Sequence, residues 1–423
     1  MNISFADTAE LHKRFILTVT LLLLVSAVGQ AEPNDVFCKE TVIAGGPNDF
    51  MEARHVVIKG TNFHIGKKIA EIAQKNNLVM ALSGLDNVRN QMQRTYMEQN
   101  YPLHYERMKG AAATLGWNLQ DDSYDFSGLL VQMELPGITG CSAVFYPAPF
   151  TETGHDVLSK NFDFSTRTLQ VTNPKTGKKP ALVSPYVFEI YPDKGYASLY
   201  ISAYEYLGGV LDGINSQGLA VAVLAELEAM GVSKPTAGVG MNEILCMRYL
   251  LDTCKDVEQA KEALLSLKHF YIYIPCHYLI ADKSGKSFIF EFSPQRDKTF
   301  ITDGDGPQCI TNHLVYKYIN ANAMSYNLKE SNQRLEILRK AVSSGGKFNI
   351  EQIKEINGRV AVPPYTPQDP RVPPMRTLWH SIYSLDEGRL SVKFYLGEEP
   401  DPKDKSKTVL KYSKYIDFKL SAN

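Results

Sequence analysis

The pattern of apolar residues changes near residue 140, and this change limits the folds open to the chain. Before it, apolar residues recur every three or four positions, as at Ile65, Ile69 and Ile72, which is typical of amphipathic helices. From Cys141 onward, short runs rich in β-branched and aromatic residues are separated by turn residues, which indicates strands. We therefore expect a mainly helical N-terminal part and a sheet-rich part that begins at Cys141.

The sheet-rich part alternates runs of strands with pairs of helices. The predicted order is a hairpin over 141–161, a meander over 186–226, two helices over 243–267, two strands over 270–292, two helices over 327–356 and a final hairpin over 376–396. Asp256 is the expected cap of one of these helices. This order predicts an α+β sandwich in which helices cover antiparallel sheets.

Composition and charge exclude several classes of protein. The 423 residues are 44% hydrophobic and 22% charged, as in soluble globular proteins, so a disordered chain is excluded. The net charge is −1, whereas proteins that bind nucleic acid generally carry a basic excess, so nucleic acid is not an expected partner. No His/Cys group has zinc spacing and no glycine-rich phosphate loop follows a strand, so no metal or other cofactor is implied.

The first 31 residues have the pattern of a secretory signal peptide. Lys13 and Arg14 precede an apolar stretch that runs from Phe15 to Gly29, and the segment ending at Ala31 provides small residues for a signal peptidase. We expect these residues to be removed and the protein to be exported, secreted or periplasmic, rather than sent to a lysosome-like compartment. The alternative is a retained membrane anchor, because about 17 apolar residues are the lower limit for a span.

Gly140-Cys141 stands where the pattern changes from helices to strands. A cysteine at a new N-terminus would provide a nucleophilic thiol together with an α-amine, whose reference pKa of about 7.7–8.0 suits it to remove the thiol proton. Because Gly140 has no side chain, its own carbonyl stays open to attack by the Cys141 thiol. The dipeptide alone is weak evidence, because a single cysteine on a strand is more often a small buried apolar residue.

Five motifs follow Cys141 in an order that resembles one enzyme superfamily. They are Lys160-Asn161-Phe162-Asp163, Asp212-Gly213-Ile214-Asn215-Ser216-Gln217-Gly218-Leu219-Ala220, a segment from Asp282 to Glu291, Thr311-Asn312-His313, and Ser331-Asn332-Gln333-Arg334. The set is similar to the N-terminal-nucleophile linear amide C–N hydrolases, which include penicillin acyltransferases, choloylglycine hydrolases and acid ceramidase-like amidases. A long leader before Gly-Cys most resembles the acyl-CoA:6-aminopenicillanic acid acyltransferase-like branch.

The resemblance implies a four-layer αββα sandwich with a mainly helical leader. Residues 1–31 would be the signal peptide, 32–140 the leader and 141–423 the catalytic domain. Autoproteolysis before Cys141 would activate the protein, and the cleaved leader would stay associated with the catalytic chain. The implied activity is hydrolysis of a small-molecule, linear, non-peptide amide through a thioester on this cysteine, without a cofactor.

The resemblance also implies a role for each matching residue. Cys141 would be the nucleophile and its amine the general base, while Asp163 would hold the ammonium form of that amine. Asn312 would donate a hydrogen bond to the tetrahedral oxyanion, and Arg334 would keep the pocket positive. Lys160 stands where the family usually has Arg, so the charge is kept but the bidentate fork is lost.

Several alternatives remain open. Ala225 aligns with a second oxyanion Asn of the choloylglycine hydrolases, so either a backbone N–H replaces this donor or the site is altered. An amine instead of water could take the acyl group, which would make the protein an acyltransferase. An unprocessed, inactive binding protein on the same scaffold is the second alternative. A papain-like dyad with His155 or His313 is disfavoured, because neither lies in a papain-like signature.

Overall fold

Two large β-sheets dominate the computed structural model of the chain. It describes residues 36–76, 79–131, 139–166, 179–203, 205–232, 238–272, 274–318, 328–343, 345–361, 374–405 and 407–421. The predicted signal peptide lies outside these residues, so it stays a prediction. None of the helices within the described ranges is long and apolar enough to cross a membrane.

Strands and helices alternate along the described chain in the order that follows. The strands are β1 Phe37–Gly45, β2 Glu52–Gly60, β3 Val79–Ser83, β4 Tyr124–Val131, β5 Thr139–Tyr146, β6 Val157–Ser165, β7 Tyr186–Pro192, β8 Ser198–Ser202, β9 Asp212–Asn215, β10 Leu219–Ala225, β11 Cys276–Asp282, β12 Ser287–Phe292, β13 Thr299–Asp303, β14 Gln308–Ile310, β15 Met375–Ser384, β16 Arg389–Pro400, β17 Thr408–Tyr412 and β18 Ile416–Lys419. The helices are α1 Asn62–Asn76, α2 Asn87–Asn100, α3 Pro102–Leu115, α4 Leu227–Val232, α5 Leu245–Thr253, α6 Val257–Ser266, α7 Lys329–Val342 and α8 Ile350–Gly358.

The strands form a nine-stranded sheet, a seven-stranded sheet and a separate two-stranded sheet. The larger sheet has the order β1-β2-β7-β8-β9-β10-β11-β12-β13. The smaller sheet has the order β14-β5-β6-β15-β16-β17, with β18 beside β16, and β3 pairs with β4. Neighbours are antiparallel except for β2 and β7, which pair in parallel. The predicted meander, β7 to β10, and both predicted hairpins, β5–β6 and β15–β16, are confirmed.

Strand β10 shows how the layers are built. Ala220, Ala222 and Leu224 belong to the core between the two sheets, while Val221 and Val223 belong to the core under the helices. Successive side chains point to opposite faces, so a strand buried on both faces must be apolar throughout. Helices α1, α2, α3, α5 and α6 pack on the nine-stranded sheet, and α7 and α8 pack on the seven-stranded sheet. The predicted four-layer αββα sandwich is therefore confirmed.

The described residues up to 131 form three helices and four strands, so the prediction of a mainly helical N-terminal part is not confirmed. Helix α1 does carry Ile65, Ile69 and Ile72 into the core, as their spacing predicted. However, β1 and β2 are strands of the larger sheet, and β3 pairs with β4. A short apolar run fits either a helix or a strand, so its spacing alone could not decide between them.

Helices α1 and α3 of the N-terminal part approach each other at two glycines. A Cβ added to Gly66 would lie 2.0 Å from Arg107 O, and one added to Gly110 would lie 1.9 Å from Phe63 O. No residue other than glycine fits at either position without a shift of the backbone. This close packing fixes Arg107 where its side chain reaches Asp252 on α5, in the part of the chain that follows Cys141.

Candidate active site

The β5–β6 hairpin places Cys141 and Asp163 beside each other. Cys141 pairs with Phe162, and Gly140 pairs with Asp163. Cys141 shares the core between the sheets with Ala143, whereas strand alternation puts Asp163 on the opposite face from Phe162. A Cβ built on Gly140 would lie 3.4 Å from Asp163 Cβ, so the Asp163 side chain packs against the Gly140–Cys141 peptide.

The backbone of Cys141 is held at both ends by two side chains distant in sequence. Its N–H donates to Asn312 Oδ1 at 2.8 Å, and Arg334 Nη1 donates to its carbonyl oxygen at 2.8 Å. Arg334 Nη2 also donates to Asn312 Oδ1, at 2.9 Å, while Asn312 Nδ2 donates to Ala225 O at 2.8 Å. Donors meet one end of the Asn312 amide and an acceptor meets the other, so its orientation is determined.

Three elements converge to build this arrangement. Asn312 follows β14, which pairs with β5 through Ile310 and Ala143. Arg334 lies on α7, on the outer face of the same sheet, and its Nη1 is 3.9 Å from Asp163 Oδ2. Thr377 on β15 is the register partner of Asp163 and donates to its Oδ1 at 2.6 Å. The structure thus brings together Cys141, Asp163, Asn312 and Arg334 from four separate segments.

Burial controls the protonation of both titratable groups at this site. It raises the pKa of the Cys141 thiol to about 11, with Lys160 opposing this rise and Asp163 adding to it. Burial also raises the pKa of Asp163 to about 6, although Arg334 and Thr377 lower it. The thiol of the uncleaved chain is therefore protonated at neutral pH, so its reaction requires a nearby base.

Lys160 also lies near the thiol, but its charge is already paired. Its Nζ is 3.1 Å from Asp212 Oδ2 and donates to Leu211 O at 2.9 Å. Tyr383 OH donates to the other Asp212 oxygen at 2.6 Å. Lys160 is on β6 of the smaller sheet and Asp212 is on β9 of the larger sheet. This buried ion pair therefore links the two sheets close to Cys141.

Both histidines considered for a papain-like dyad form their hydrogen bonds elsewhere. His155 Nδ1 contacts Asp386 at an exposed turn. His313 Nδ1 lies 2.8 Å from Ser331 Oγ and 3.3 Å from Thr311 Oγ1. Burial lowers the pKa of His313 to about 3, so it is neutral at physiological pH. Neither geometry favours a papain-like catalytic dyad with Cys141.

Three contacts of this site were not predicted from the sequence. Thr377 is far from Asp163 along the chain, and only the pairing of β15 with β6 brings the two together. Asp212 stands at the start of one of the five motifs, which was the available signal for a partner of Lys160. Ala225 contributes its carbonyl oxygen, which side-chain patterns do not reveal.

All six cysteines are described and none forms a disulfide. No group of three or more His, Cys, Asp or Glu residues in the described ranges is arranged to hold a metal ion. The side chains brought together at Cys141 provide its own thiol and, from Asp163, Asn312 and Arg334, a carboxylate, an amide and a guanidinium. Such a set can support acyl transfer once a base is supplied.

Comparison with known proteins identifies the family. No curated protein matches the chain. Among solved structures, a mutant of conjugated bile acid hydrolase from Clostridium perfringens is 17% identical, covers 66% of this chain and 99% of that chain, and has a TM-score of 0.43. Penicillin V acylase from Agrobacterium tumefaciens is 17% identical, with coverage of 60% and 83% and a TM-score of 0.39. Residues 150–398, more than half of the chain, match the acyl-coenzyme A:6-aminopenicillanic acid acyl-transferase family, and the protein belongs to that family.

Proposed function

We propose that this protein is an exported amidase that activates itself by cleavage before Cys141 and then hydrolyses linear non-peptide amides. In this proposal residues 1–31 are the signal peptide, 32–140 the leader and 141–423 the catalytic chain. The observation that carries the proposal is the pair of hydrogen bonds to the Cys141 backbone: Asn312 accepts from its N–H, and Arg334 donates to its carbonyl. These two bonds would keep the residue in place after its N-terminal bond is cut.

The cleavage step is an acyl shift from nitrogen to sulfur. Cys141 Sγ adds to the Gly140 carbonyl carbon, the C–N bond breaks, and the thiol proton passes to the departing nitrogen. Water then hydrolyses the thioester, which leaves a carboxylate on Gly140 and a free thiol and amine on Cys141. Two observations support this step: residue 140 has no side chain to shield its carbonyl, and Asp163 packs against the same peptide.

Turnover would reuse the same atoms. The new amine takes the thiol proton, and Asn312 Oδ1 and the Asp163 carboxylate accept hydrogen bonds from the resulting ammonium. The thiolate attacks the substrate carbonyl, and the amine leaving group takes the proton as the thioester forms. Asn312 Nδ2 carries two hydrogens, of which Ala225 O takes one, so the second supports a role in binding the oxyanion. One such donor is worth about 3–4 kcal/mol in the transition state.

The leader is proposed to stay bound after cleavage. Arg107 on α3 forms two hydrogen bonds with Asp252 on α5, at 2.6 and 3.1 Å, and both side chains are buried. Strand β2 also pairs with β7 along seven residues, from Arg54 opposite Tyr186 to Gly60 opposite Pro192. These contacts do not depend on the bond before Cys141.

Acyl transfer to an amine is the second candidate function. It is favoured by the family match, whose description names transfer of an acyl group from coenzyme A to 6-aminopenicillanic acid. The first half of both reactions is the same, because each forms a thioester on Cys141. An added amine, such as hydroxylamine, would distinguish the two by the share of acyl product it captures in competition with water.

Denaturing electrophoresis with N-terminal sequencing tests the proposal. The purified protein should give fragments of about 12 and 32 kDa, and the larger should begin Cys-Ser-Ala-Val. Cys141→Ala should remain whole, whereas the control Cys254→Ala, which changes a buried cysteine just after α5, should still be cleaved. Cleavage of Cys141→Ala at the same bond would mean that an external protease acts. A wild-type protein that stays whole would favour the unprocessed binding protein instead.

A further inference from the structure

The peptide group that joins Thr311 to Asn312 is held on both edges by buried side chains. His277 Nε2 donates to Thr311 O at 2.7 Å, and the Asn312 N–H donates to Ser331 Oγ at 2.8 Å. This carbonyl and this N–H belong to one planar unit. Two bonds on opposite edges therefore fix the plane, and with it the direction in which the Asn312 side chain leaves the backbone.

His277 is oriented in turn by Glu291 on the neighbouring strand. Its Nδ1 lies 3.0 Å from Glu291 Oε1, and both side chains are fully buried. The backbone carbonyl on the other side of the ring can only accept, so Nε2 carries a hydrogen. Glu291 also accepts from the N–H groups of Val315 at 2.8 Å and Tyr316 at 3.0 Å. One carboxylate thus holds both the imidazole and the turn that follows Asn312.

Ser331 connects this unit to the helix that carries Arg334. Its Oγ donates to Thr311 Oγ1 at 3.0 Å, and Thr311 Oγ1 donates to Ser331 O at 3.0 Å. One turn further along α7, Arg334 donates to the carbonyl of Cys141 and to Asn312 Oδ1. The bonds that hold the peptide plane and those that hold Cys141 therefore share one helix.

We propose that His277, oriented by Glu291, is a positioning residue that holds Asn312 against Cys141 through the Thr311–Asn312 peptide. None of its contacts described above reaches Cys141, so it acts through another residue. The inference rests on the proposed function where activity is the readout, but the geometry of Asn312 can be measured without it. A displacement of about 1 Å at a reacting group can reduce the rate roughly 100-fold.

Steady-state kinetics on a chromogenic acyl anilide provide the first test. His277→Leu should lower kcat roughly 100-fold with little change in KM, because the proposed role of Asn312 is in the transition state. His277→Gln should recover most of the rate, since its amide N–H can again donate to Thr311 O. His380 is a matched control: it is also buried, but it bonds Ser159 and Tyr415. An equal loss of kcat in His380→Leu, at equal folded fraction, would reduce His277 to a structural residue and overturn the proposal.

Crystal structures of the Cys141→Ala chain, with and without His277→Leu, provide the second test. The distance between the residue 141 nitrogen and Asn312 Oδ1 is 2.8 Å and should lengthen beyond about 3.5 Å. An unchanged distance would overturn the positioning role, whatever the activity. If His277→Leu does not fold, His277→Phe, which also lacks a donor to Thr311 O but keeps an aromatic ring in the space, gives the same test. A wild-type protein without cleavage or turnover would reject the proposed function and leave this geometric result intact.

Discussion

Two buried aspartates of this molecule lie in contrasting ionic clusters. The Asp252 cluster contains Tyr101, Arg107, Arg248 and Asp252, and links the N-terminal part to helix α5. Its carboxylate accepts from both arginines and from the tyrosine, at distances of 2.6–3.1 Å. The Asp163 cluster contains Cys141, Asp163, Asn312 and Arg334, and its ion pair is longer, with 3.9 Å between Arg334 Nη1 and Asp163 Oδ2.

The two carboxylates are equally buried, yet their pKa values move in opposite directions. Burial opposes ionisation of Asp252, but Arg107 and Arg248 outweigh it and hold its pKa below the usual value. At Asp163 burial outweighs Arg334 and Thr377, and the pKa rises to about 6. The arginines thus outweigh burial at Asp252, whereas burial outweighs the positive charge at Asp163. Under the proposed function, the ammonium that cleavage creates on Cys141 adds a further positive charge beside Asp163.

The largest expected effect is on the stability that the Asp252 cluster provides. Asp252→Ala leaves two buried arginines without their carboxylate, so the free energy of unfolding should fall by about 3–5 kcal/mol. Urea unfolding of the uncleaved Cys141→Ala chain measures it. The change Asp163→Asn, which removes only the charge at the second aspartate, should cost far less in the same background. A loss below about 1 kcal/mol at Asp252 would place this cluster with weak surface pairs and break the contrast.

The next effect concerns catalysis. Asn312→Ala removes a proposed oxyanion donor, so kcat of the folded protein should fall by about 10²–10³-fold. The thermal midpoint should fall as well, because three buried hydrogen bonds of the Asn312 amide are lost. Asn90→Ala is the matched control, because Asn90 is equally buried in the N-terminal part and donates to Asp122 O at 3.0 Å. It should affect the thermal midpoint and leave kcat unchanged. Activity of Asn312→Ala within a few-fold of wild type would remove Asn312 from the reacting groups.

The smallest effect is a shift along the pH axis. Under the proposed function, Asp163→Asn keeps the shape of the side chain but removes its charge, so the pKa of the Cys141 amine should drop. The limb of the pH–rate profile that reports the amine should then move to lower pH, and kcat should fall. An unchanged profile with near-normal kcat would leave Asp163 with a structural role only, through its hydrogen bond with Thr377.

The same substitution has a stability signature in the uncleaved chain. The folded pKa of Asp163 is about 6, above its ordinary value of 3.8, so the protonated carboxyl stabilises the fold at low pH. That contribution is lost as pH rises through about 6. The thermal midpoint of Cys141→Ala/Asp163→Asn, relative to Cys141→Ala, should therefore rise between pH 4 and pH 7. A flat difference would contradict the raised pKa.

The sequence predicted the sheets after Cys141 better than the strands before it. Strands β5 and β10 are buried on both faces, and their apolar runs stand out. Strand β1 lies at the edge of its sheet and is mostly exposed, so its sequence, Phe-Cys-Lys-Glu-Thr-Val-Ile-Ala-Gly, shows no alternation that would identify a strand. Polar edge strands follow from the pairing of distant segments, which local pattern does not contain.

The candidate site shows the same limit. Cys141, Asp163, Asn312 and Arg334 were identified by motif order, and they do converge. Their remaining contacts could not be identified in this way. The bond from Thr377 to Asp163 depends on the β6–β15 register, which contains an irregularity just after Thr377. A backbone acceptor such as that of Ala225 has no signature in a side-chain pattern.

The position of Trp379 makes its fluorescence a probe of the site. The chain has two tryptophans, and the indole of this one is fully buried and stacked on Phe162, with ring centroids 4.0 Å apart. Phe162 is the cross-strand partner of Cys141. The other indole, Trp117, packs against Phe126 in the N-terminal part. Replacing Trp117 with phenylalanine would leave a single tryptophan near the Cys141 thiol, so changes at Cys141 could be followed in real time by tryptophan fluorescence without any added label.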